Sequence, residues 1–270
     1  MQKVKLQKKE DNNLGKKGKT ARMKRKPAPR FWPIHRKELP WIVKPSSGAH
    51  SQDNCLTLTL VLRDMLGIAQ TRKESKLVLA QGKVQVNGVV RKKDDFPVGL
   101  MDVISMPDAG KYYRVMPSNK GLILSPISKE EANFTLMRVE DKNTVINGVQ
   151  IALHDGSNML IKVADPKNPQ KVAYDTFDVL KITYPDKQIS ARLETKEGNL
   201  AIITGGKNNG KQGRIVEIEK TQAKKRRQAL VVIEDANKVR YQTILDFIFS
   251  IGETEPFIVV PTAPEASAVV

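Results

Sequence analysis

The chain has 270 residues, room for two or three modest domains, and 46 Lys/Arg against 29 Asp/Glu give it a formal net charge of +17. Its single cysteine, Cys55, makes no intramolecular disulfide and lies beside a leucine run, so it reads as packed rather than reactive, and nothing in the cysteine usage suggests secretion. No run approaches roughly 18 uncharged apolar residues and the N-terminus has no signal-peptide core, so a soluble, intracellular protein is expected.

The charge is concentrated. Residues 1–40 hold 14 Lys/Arg against 3 Asp/Glu, a net of +11, whereas residues 41–110 (9 against 7), 111–190 (11 against 9) and 191–270 (12 against 10) come to +2 each. The partner implied is a polyanion held by phosphate neutralisation. A membrane surface suits the arm less, because it has no apolar face.

In chain order, residues 1–45 read as an extended basic arm and lead-in. Residues 1–30 are nearly free of large apolar groups and cannot repay their own ordering entropy. The densest part holds Arg22, Lys24, Arg25, Lys26 and Arg30 and runs into Phe31-Trp32-Pro33. Cations beside a ring suit a backbone clamp with Trp32 as stacking residue. Two alternatives stay open: a solvated tail for the charge, and rings of Trp32 and Trp41 that merely dock the arm. His35, His50 and His154 show no metal-ligand spacing, so no metal is expected.

Residues 46–110 form the central module. Leu58, Val61, Leu62 and Met65 recur at helical spacing until Gly67. Thr71-Arg-Lys-Glu74 is a capping box that opens a second helix, with Leu77, Val78 and Ala80 inward and Arg72, Lys73 and Lys76 outward. Gln81-Gly82 closes it. Val84 and Val86 alternate with Lys83 and Gln85, Asn87-Gly88 suits a type I′ hairpin turn, and residues 101–105 can add a strand. Basic side chains at a helix N-terminus with free N–H groups make a phosphate seat. Arg63, Arg72, Lys73, Lys76, Lys83, Arg91, Lys92 and Lys93 are candidates to line one face.

The stretch VLRDMLGIAQTRKESKLVLAQGKVQVNGVVRKKDDFPVGLMDVI resembles an S4-type RNA-binding domain. The order of arm, module and later domains is similar to the small-subunit ribosomal protein S4e family over about residues 20–250, and FWPIHRKELPW and FPVGLMDVISMPDAGKYYRVMP look like its archaeal branch. The resemblance implies binding of ribosomal RNA, an expectation that Arg63, Thr71, Arg72, Lys76, Gln81, Gly82, Lys83, Asn87 and Gly88 inherit by matching the motif.

Residues 111–190 read as a small β domain, with strands at 136–140, 144–146, 149–153, 159–163 and 179–184 and turns at Asn147-Gly148 and Asp155-Gly156. His154-Asp155 has no nucleophile or third group nearby and reads as a capped turn. Residues 191–251 form the last domain, with strands at 200–204, 214–219, 230–233 and 238–242, and 244–249 as a strand or short helix. Gly205 to Lys211 starts like a phosphate-binding loop, but Gln212 stands where a hydroxyl is required and a strand follows where a helix should. NLAIITGGKNNGKQGRIVEIE instead looks like a KOW motif, a glycine-rich turn in an SH3-like barrel that meets RNA or protein or simply closes the barrel. Lys207, Asn208, Lys211 and Arg214 are its candidate contacts, with Lys224, Lys225, Arg226 and Arg227 on a second basic loop. Residues 252–270 read as a free or surface-laid tail.

The fold expected is therefore an α+β RNA-binding module followed by two small mainly-β domains, the last an SH3-like KOW barrel, with an extended basic N-terminal arm. The function expected is a non-enzymatic constituent of the small ribosomal subunit in the cytoplasm, binding rRNA through phosphate and shape contacts. Neighbouring ribosomal proteins are the other partners, with no cofactor, dedicated small-molecule ligand or membrane. The alternative is an RNA-binding accessory of transcription or RNA modification.

Overall fold

The computed structural model describes residues 22–35, 37–145, 148–162, 174–219 and 226–260. An N-terminal α+β region is followed by β-sheet units. The lead-in is more than extended chain: β1 (Arg22–Lys24) pairs antiparallel with β2 (Trp41–Val43). Alternation sends Met23 and Ile42 inward, and with Ala28, Trp32 and Ile34 they join a core built on Leu56, Leu58, Leu62 and Leu79. The Arg25 guanidinium stitches the intervening turn by donating to the carbonyls of Ile34 (3.1 Å) and Pro29 (3.4 Å).

After β3 (Cys55–Thr57), helix α1 starts at Leu58–Leu60 and continues as a π-helical turn over Val61–Met65. It stops at Gly67, whose φ of 62° is left-handed. Helix α2 is Arg72–Ala80. Its inner face corrects the sequence expectation: Ser75 and Leu79 are buried and Val78 partly so, whereas Leu77 is 61% exposed and Ala80 is exposed. At about 100° per residue, Ser75, Val78 and Leu79 share a stripe that Leu77 misses. The hydroxyl of Ser75 is satisfied by donating to the Thr71 carbonyl (3.2 Å), so a polar residue can line the helix seam.

The hairpin of β4 (Gln85–Val86) and β5 (Val89–Val90) turns at Asn87 (φ 50°) and Gly88 (φ 71°), the two positive angles a type I′ turn needs. Strand β6 (Pro97–Gly99) pairs with β3. Strand β7 spans Val103–Met106, later than expected, because Met101 sits at φ 64° in the turn before it. Strands β8 (Lys111–Ser118) and β9 (Gly121–Pro126) extend the same sheet, in the order β5-β4-β7-β8-β9, across the boundary drawn at residue 110.

The next sheet is β12-β11-β10-β13-β14, built from β10 (Phe134–Val145), β11 (Gly148–Leu153), β12 (Asn158–Ile161), β13 (Val179–Thr183) and β14 (Gln188–Leu193). A bulge between Val139 and Asp141 bends β10, so one half pairs with β13 and the other with β11. Asn147 of the expected turn lies outside the described residues, and β14 has no counterpart in the sequence expectation. The last sheet runs β18-β17-β16-β15-β19, from β15 (Leu200–Ile203), β16 (Gln212–Glu219), β17 (Leu230–Glu234), β18 (Arg240–Ile244) and β19 (Ile248–Gly252). The ambiguous stretch near 244–249 resolves into a 3-10 turn at Leu245–Phe247 followed by β19.

The sheets share a core. Met101 and Met116 of the first, Leu136, Val179 and Leu193 of the second, and Ile202, Phe249 and Ile251 of the third pack in one cluster. Ile258 completes it at 2% exposure. The start of the expected tail is thus pinned: Phe257 N–H donates to the Ile251 carbonyl and Val259 N–H to Glu131 Oε1, both at 2.9 Å. Truncation Ile258→Ala is expected to cost about 2–4 kcal/mol in urea unfolding, with the transitions followed by fluorescence and circular dichroism still coincident because the core is common to all three sheets.

Candidate nucleic-acid interface

The cations expected as phosphate contacts divide by what already holds them. Arg63 makes a two-pronged pair with Asp64, Nε to Oδ1 at 3.0 Å and Nη2 to Oδ2 at 2.9 Å. Arg72 Nε lies 2.6 Å from Asp94 Oδ2. The Arg91 guanidinium lies 4.4 Å from the Phe96 ring centroid, and its Nε is buried without a partner among the described residues. Lys73, Lys76, Lys83, Lys92 and Lys93 are exposed and make no ion pair among the described residues. Helical spacing puts Lys73, Lys76, Leu77 and Ala80 on one outer face of α2. The backbone links that face to the hairpin: Arg91 N–H donates to the Val84 carbonyl (3.1 Å), and Gly82 lies against Val90.

The phosphate seat expected at the α2 N-terminus is already filled. Thr71 Oγ1 accepts from Glu74 N–H (3.3 Å) and donates to Glu74 Oε1 (3.0 Å), while Glu74 Oε2 accepts from Gln70 N–H (2.8 Å). The Gln70 N–H and then the Thr71 hydroxyl hold the Glu74 carboxyl below its usual range. An anion on this helix end is the protein's own. Gln81 is exposed at the other end.

Two expected contacts are corrected outright. Trp32 is 2% exposed and its indole N–H donates to the Cys55 carbonyl (2.8 Å), so no base can stack on it; it fills the N-terminal core. Asn87 is consumed at the hairpin: Nδ2 donates to Asp102 Oδ1 (2.7 Å) and Oδ1 accepts from Val103 N–H (2.9 Å). In the lead-in, Lys24, Lys26 and Arg30 are exposed, Arg25 is tied down as described, and the side chain of Arg22 lies outside the described residues.

In the last sheet, Lys207, Lys211 and Arg214 are exposed and Asn208 is half-buried. The Lys211 ammonium sits 5.7 Å from the Tyr241 ring centroid, and Arg214 lines a groove of about 540 Å³ with Glu234 and Asp235. The tip of this loop faces the protein. A Cβ on Gly210 (φ 81°) would come within 2.8 Å of Ser118 Cα, so the glycine permits close docking on the β8–β9 turn. Gln212 opens a strand, not a helix, which removes the nucleotide-loop reading. Lys224, Lys225 and the Arg226 side chain lie outside the described residues. Arg227 reaches the second sheet, donating to the Glu140 carbonyl (3.2 Å) and lying 3.5 Å from its carboxylate. Beside it Arg138 bonds Glu140 Oε1 (2.6 Å) and the carbonyls of Asp246 (2.7 Å) and Ile248 (2.8 Å).

A polar node with no signature in the sequence sits where the units meet. Asp102 Oδ2 accepts from His50 Nε2 and Gly99 N–H, both at 2.9 Å, in addition to Asn87. His154 donates from Nε2 to the Leu100 carbonyl (3.0 Å) and accepts at Nδ1 from Arg138 N–H (3.1 Å), which makes it the neutral Nε2–H tautomer. It packs edge-on to Phe249, ring centroids 5.5 Å apart. Asp155 accepts from Ser157 N–H (2.8 Å) and its hydroxyl (2.6 Å), a turn cap. The node's partners come from segments far apart in sequence, so only the fold reveals it.

Three family descriptions match: the RS4NT domain over residues 17–53, the S4 domain over 60–104 and "Ribosomal family S4e" over 109–189. The chain is 46% identical over 250 residues to the small ribosomal subunit protein eS4 of Desulfurococcus amylolyticus, covering 92% of this chain and 98% of that one. It is 39% identical to the protein of the same name from Methanocaldococcus jannaschii, with 91% and 99% covered. The crystal structure of the 30S ribosomal protein S4e from Thermoplasma acidophilum superposes with a TM-score of 0.61 at 29% identity, over 76% of this chain and 100% of that one.

The node also sets a pH dependence. Burial pulls the His50 pKa down, but the charge and hydrogen bond of Asp102 outweigh it and leave it raised. Burial likewise pushes Asp102 up, and His50, Gly99 N–H and Asn87 outweigh that to hold it low. The His50 contribution is therefore complete below the ordinary histidine range and fades as pH rises through the raised value; that of Asp102 is complete above the ordinary aspartate range and is lost as pH falls through its lowered value. Burial, and after it the charge of His50, lower His154, which opposes folding as pH drops below the histidine range; His50→Gln removes that second cause and so offsets part of its own cost at low pH. His50→Gln should cost about 1–3 kcal/mol in urea unfolding at pH 6 and measurably less at pH 9.

Proposed function

The chain belongs to the ribosomal protein family S4e, and from that premise we infer that it is a structural, rRNA-binding constituent of the small ribosomal subunit. It is not an enzyme, and it works among other ribosomal proteins. The observation that carries this reading is the near-complete coverage of relatives named as small-subunit proteins. The charge pattern agrees with it: +11 of the +17 lies within residues 1–40, which is what neutralising phosphates requires. No helix among the described residues is long and apolar enough to cross a membrane. With the ribosome as its place, the cytoplasm is where it acts.

The contact set follows from which cations are free. Lys73, Lys76, Lys83, Lys92 and Lys93 of the S4 region meet phosphates and 2′-hydroxyls, joined by Lys24, Lys26 and Arg30 from the lead-in and by Lys207 and Lys211 from the last sheet. Arg63, Arg72, Arg25 and Arg227 act on structure first, since each is held by a carboxylate or carbonyl. The β15–β16 hairpin with its glycine-rich loop is a KOW motif in an SH3-like barrel; its five strands and glycine-dependent turn support this. Contacts of this kind read the shape and backbone of folded RNA.

Residues 1–21 hold seven lysines and two acidic residues, ahead of Met23, the first core residue among the described residues. They act as a polycationic arm on rRNA. Deleting residues 1–21 should leave the folded body intact and cut the slope of log affinity against log salt by several units, at roughly 0.7–0.9 for each phosphate no longer neutralised. Filter binding to small-subunit rRNA over a salt series reads this directly, and an unchanged slope removes the arm from the interface.

A further inference from the structure

The two tryptophans of the lead-in have opposite fates. Trp32 is buried with its N–H satisfied, whereas Trp41 is 54% exposed and its indole N–H has no partner among the described residues. The β1–β2 ribbon explains how Trp41 is displayed. Met23 pairs with Ile42 and both face the core, while Lys24 pairs with Trp41 and both face solvent. Directly opposed side chains on one ribbon face are neighbours, and the Lys24 ammonium lies over the Trp41 ring, 5.6 Å from its centroid. Met23, Ile42 and the buried Val43 anchor the ribbon, whereas the indole of Trp41 is left more than half exposed.

Building on the reading that the chain binds rRNA, we propose that Trp41 is a stacking platform for an unpaired nucleobase of that RNA, with Lys24 beside it for the adjoining phosphate. Residues 22–44 contain eight Lys/Arg and one acidic residue, Glu38. An exposed ring set in that field repels basic protein surfaces and draws a polyanion. Within a duplex the base faces are already stacked on one another, so the occupant is a base from a loop, bulge or single strand. A flat indole with a cation alongside matches the π-face of any base and the charge of its phosphate, whatever the sequence.

The test uses the full chain with poly(A) as single strand and poly(A)·poly(U) as duplex. Trp41→Leu should weaken poly(A) binding by about tenfold or more, change duplex binding by less than about twofold, and leave the salt slope of poly(A) binding intact. Trp41→Phe should recover part of the loss, and Lys24→Gln should lower the salt slope by about 0.7. In the wild type, poly(A) should quench the red-shifted emission of Trp41, whereas in Trp41→Leu the remaining blue-shifted Trp32 signal should not respond. Thermal unfolding of Trp41→Leu at the wild-type midpoint confirms that the body is folded. Wild-type affinity of Trp41→Leu for poly(A) overturns the proposal and leaves Trp41 as a contact for a protein neighbour; equal losses on both probes overturn it in favour of a contact to features that single strand and duplex share. If the wild-type chain binds neither RNA, the rRNA-binding reading fails first, and this proposal falls with it.

Discussion

One buried carboxylate governs how the units sit together. Asp102 is 3% exposed and gathers donors from three places: the segment that follows the lead-in through His50, the β4–β5 turn through Asn87, and its own turn through Gly99 N–H. A charge so far from water is tolerable only with this degree of satisfaction. The residue before it, Met101, is held in a left-handed conformation with its N–H on the Val115 carbonyl, and its own carbonyl accepts from the Thr135 hydroxyl at 2.6 Å. The Leu100 carbonyl accepts the hydrogen bond from His154 Nε2–H. Three consecutive residues thus join the segment after the lead-in, the S4 region and the second sheet, and the apolar cluster around Met101 extends the connection to the third.

The same economy runs through the charged residues. An excess of positive charge invites the assumption that every cation faces RNA, yet many of the arginines are held by the chain itself. Arg25, Arg63, Arg72, Arg138 and Arg227 each engage carbonyls or carboxylates of the chain itself. Arg114 is fully buried, donating to the carbonyls of Glu131 (3.0 Å) and Phe134 (3.2 Å) beside the Phe134 ring. The planar, multi-donor guanidinium suits such fixed internal roles, whereas the lysine ammonium stays hydrated and mobile at the surface. Counting only unpaired cations gives a smaller interface than the sequence total suggests, and a more definite one.

How much of the molecule is legible in its sequence depends on the range of the forces involved. The Asn87-Gly88 turn, the Thr71 cap and most strands of the later sheets follow from nearest-neighbour chemistry, and the structure has them where the sequence puts them. The inner face of α2 is misread from the sequence because Leu77 outranks Ser75 on any hydrophobicity scale, although the helical step excludes it. Trp32 is misassigned because its partner, the Cys55 carbonyl, lies 23 residues away. The burial of Ile258 and the whole Asp102 node depend on chain segments tens of residues apart, for which a single sequence carries no local signal. Gly210 belongs to a loop legible as a close-approach turn, but not that the approach is to Ser118 of the same chain.

That last contact has a wider meaning. A loop able to lie flat against another molecule instead lies against the β8–β9 turn, and with the shared apolar cluster it makes a second contact between the first and third sheets. The outer lysines of α2 and those of the glycine-rich loop are therefore carried on units packed against one another, and a contact set held in this way would lose less orientational entropy on docking than one spread over separate units. With the contact set proposed above, such a body would act as a gauge: RNA strands that fit its span would be accepted together, and those that do not would have to bend to it.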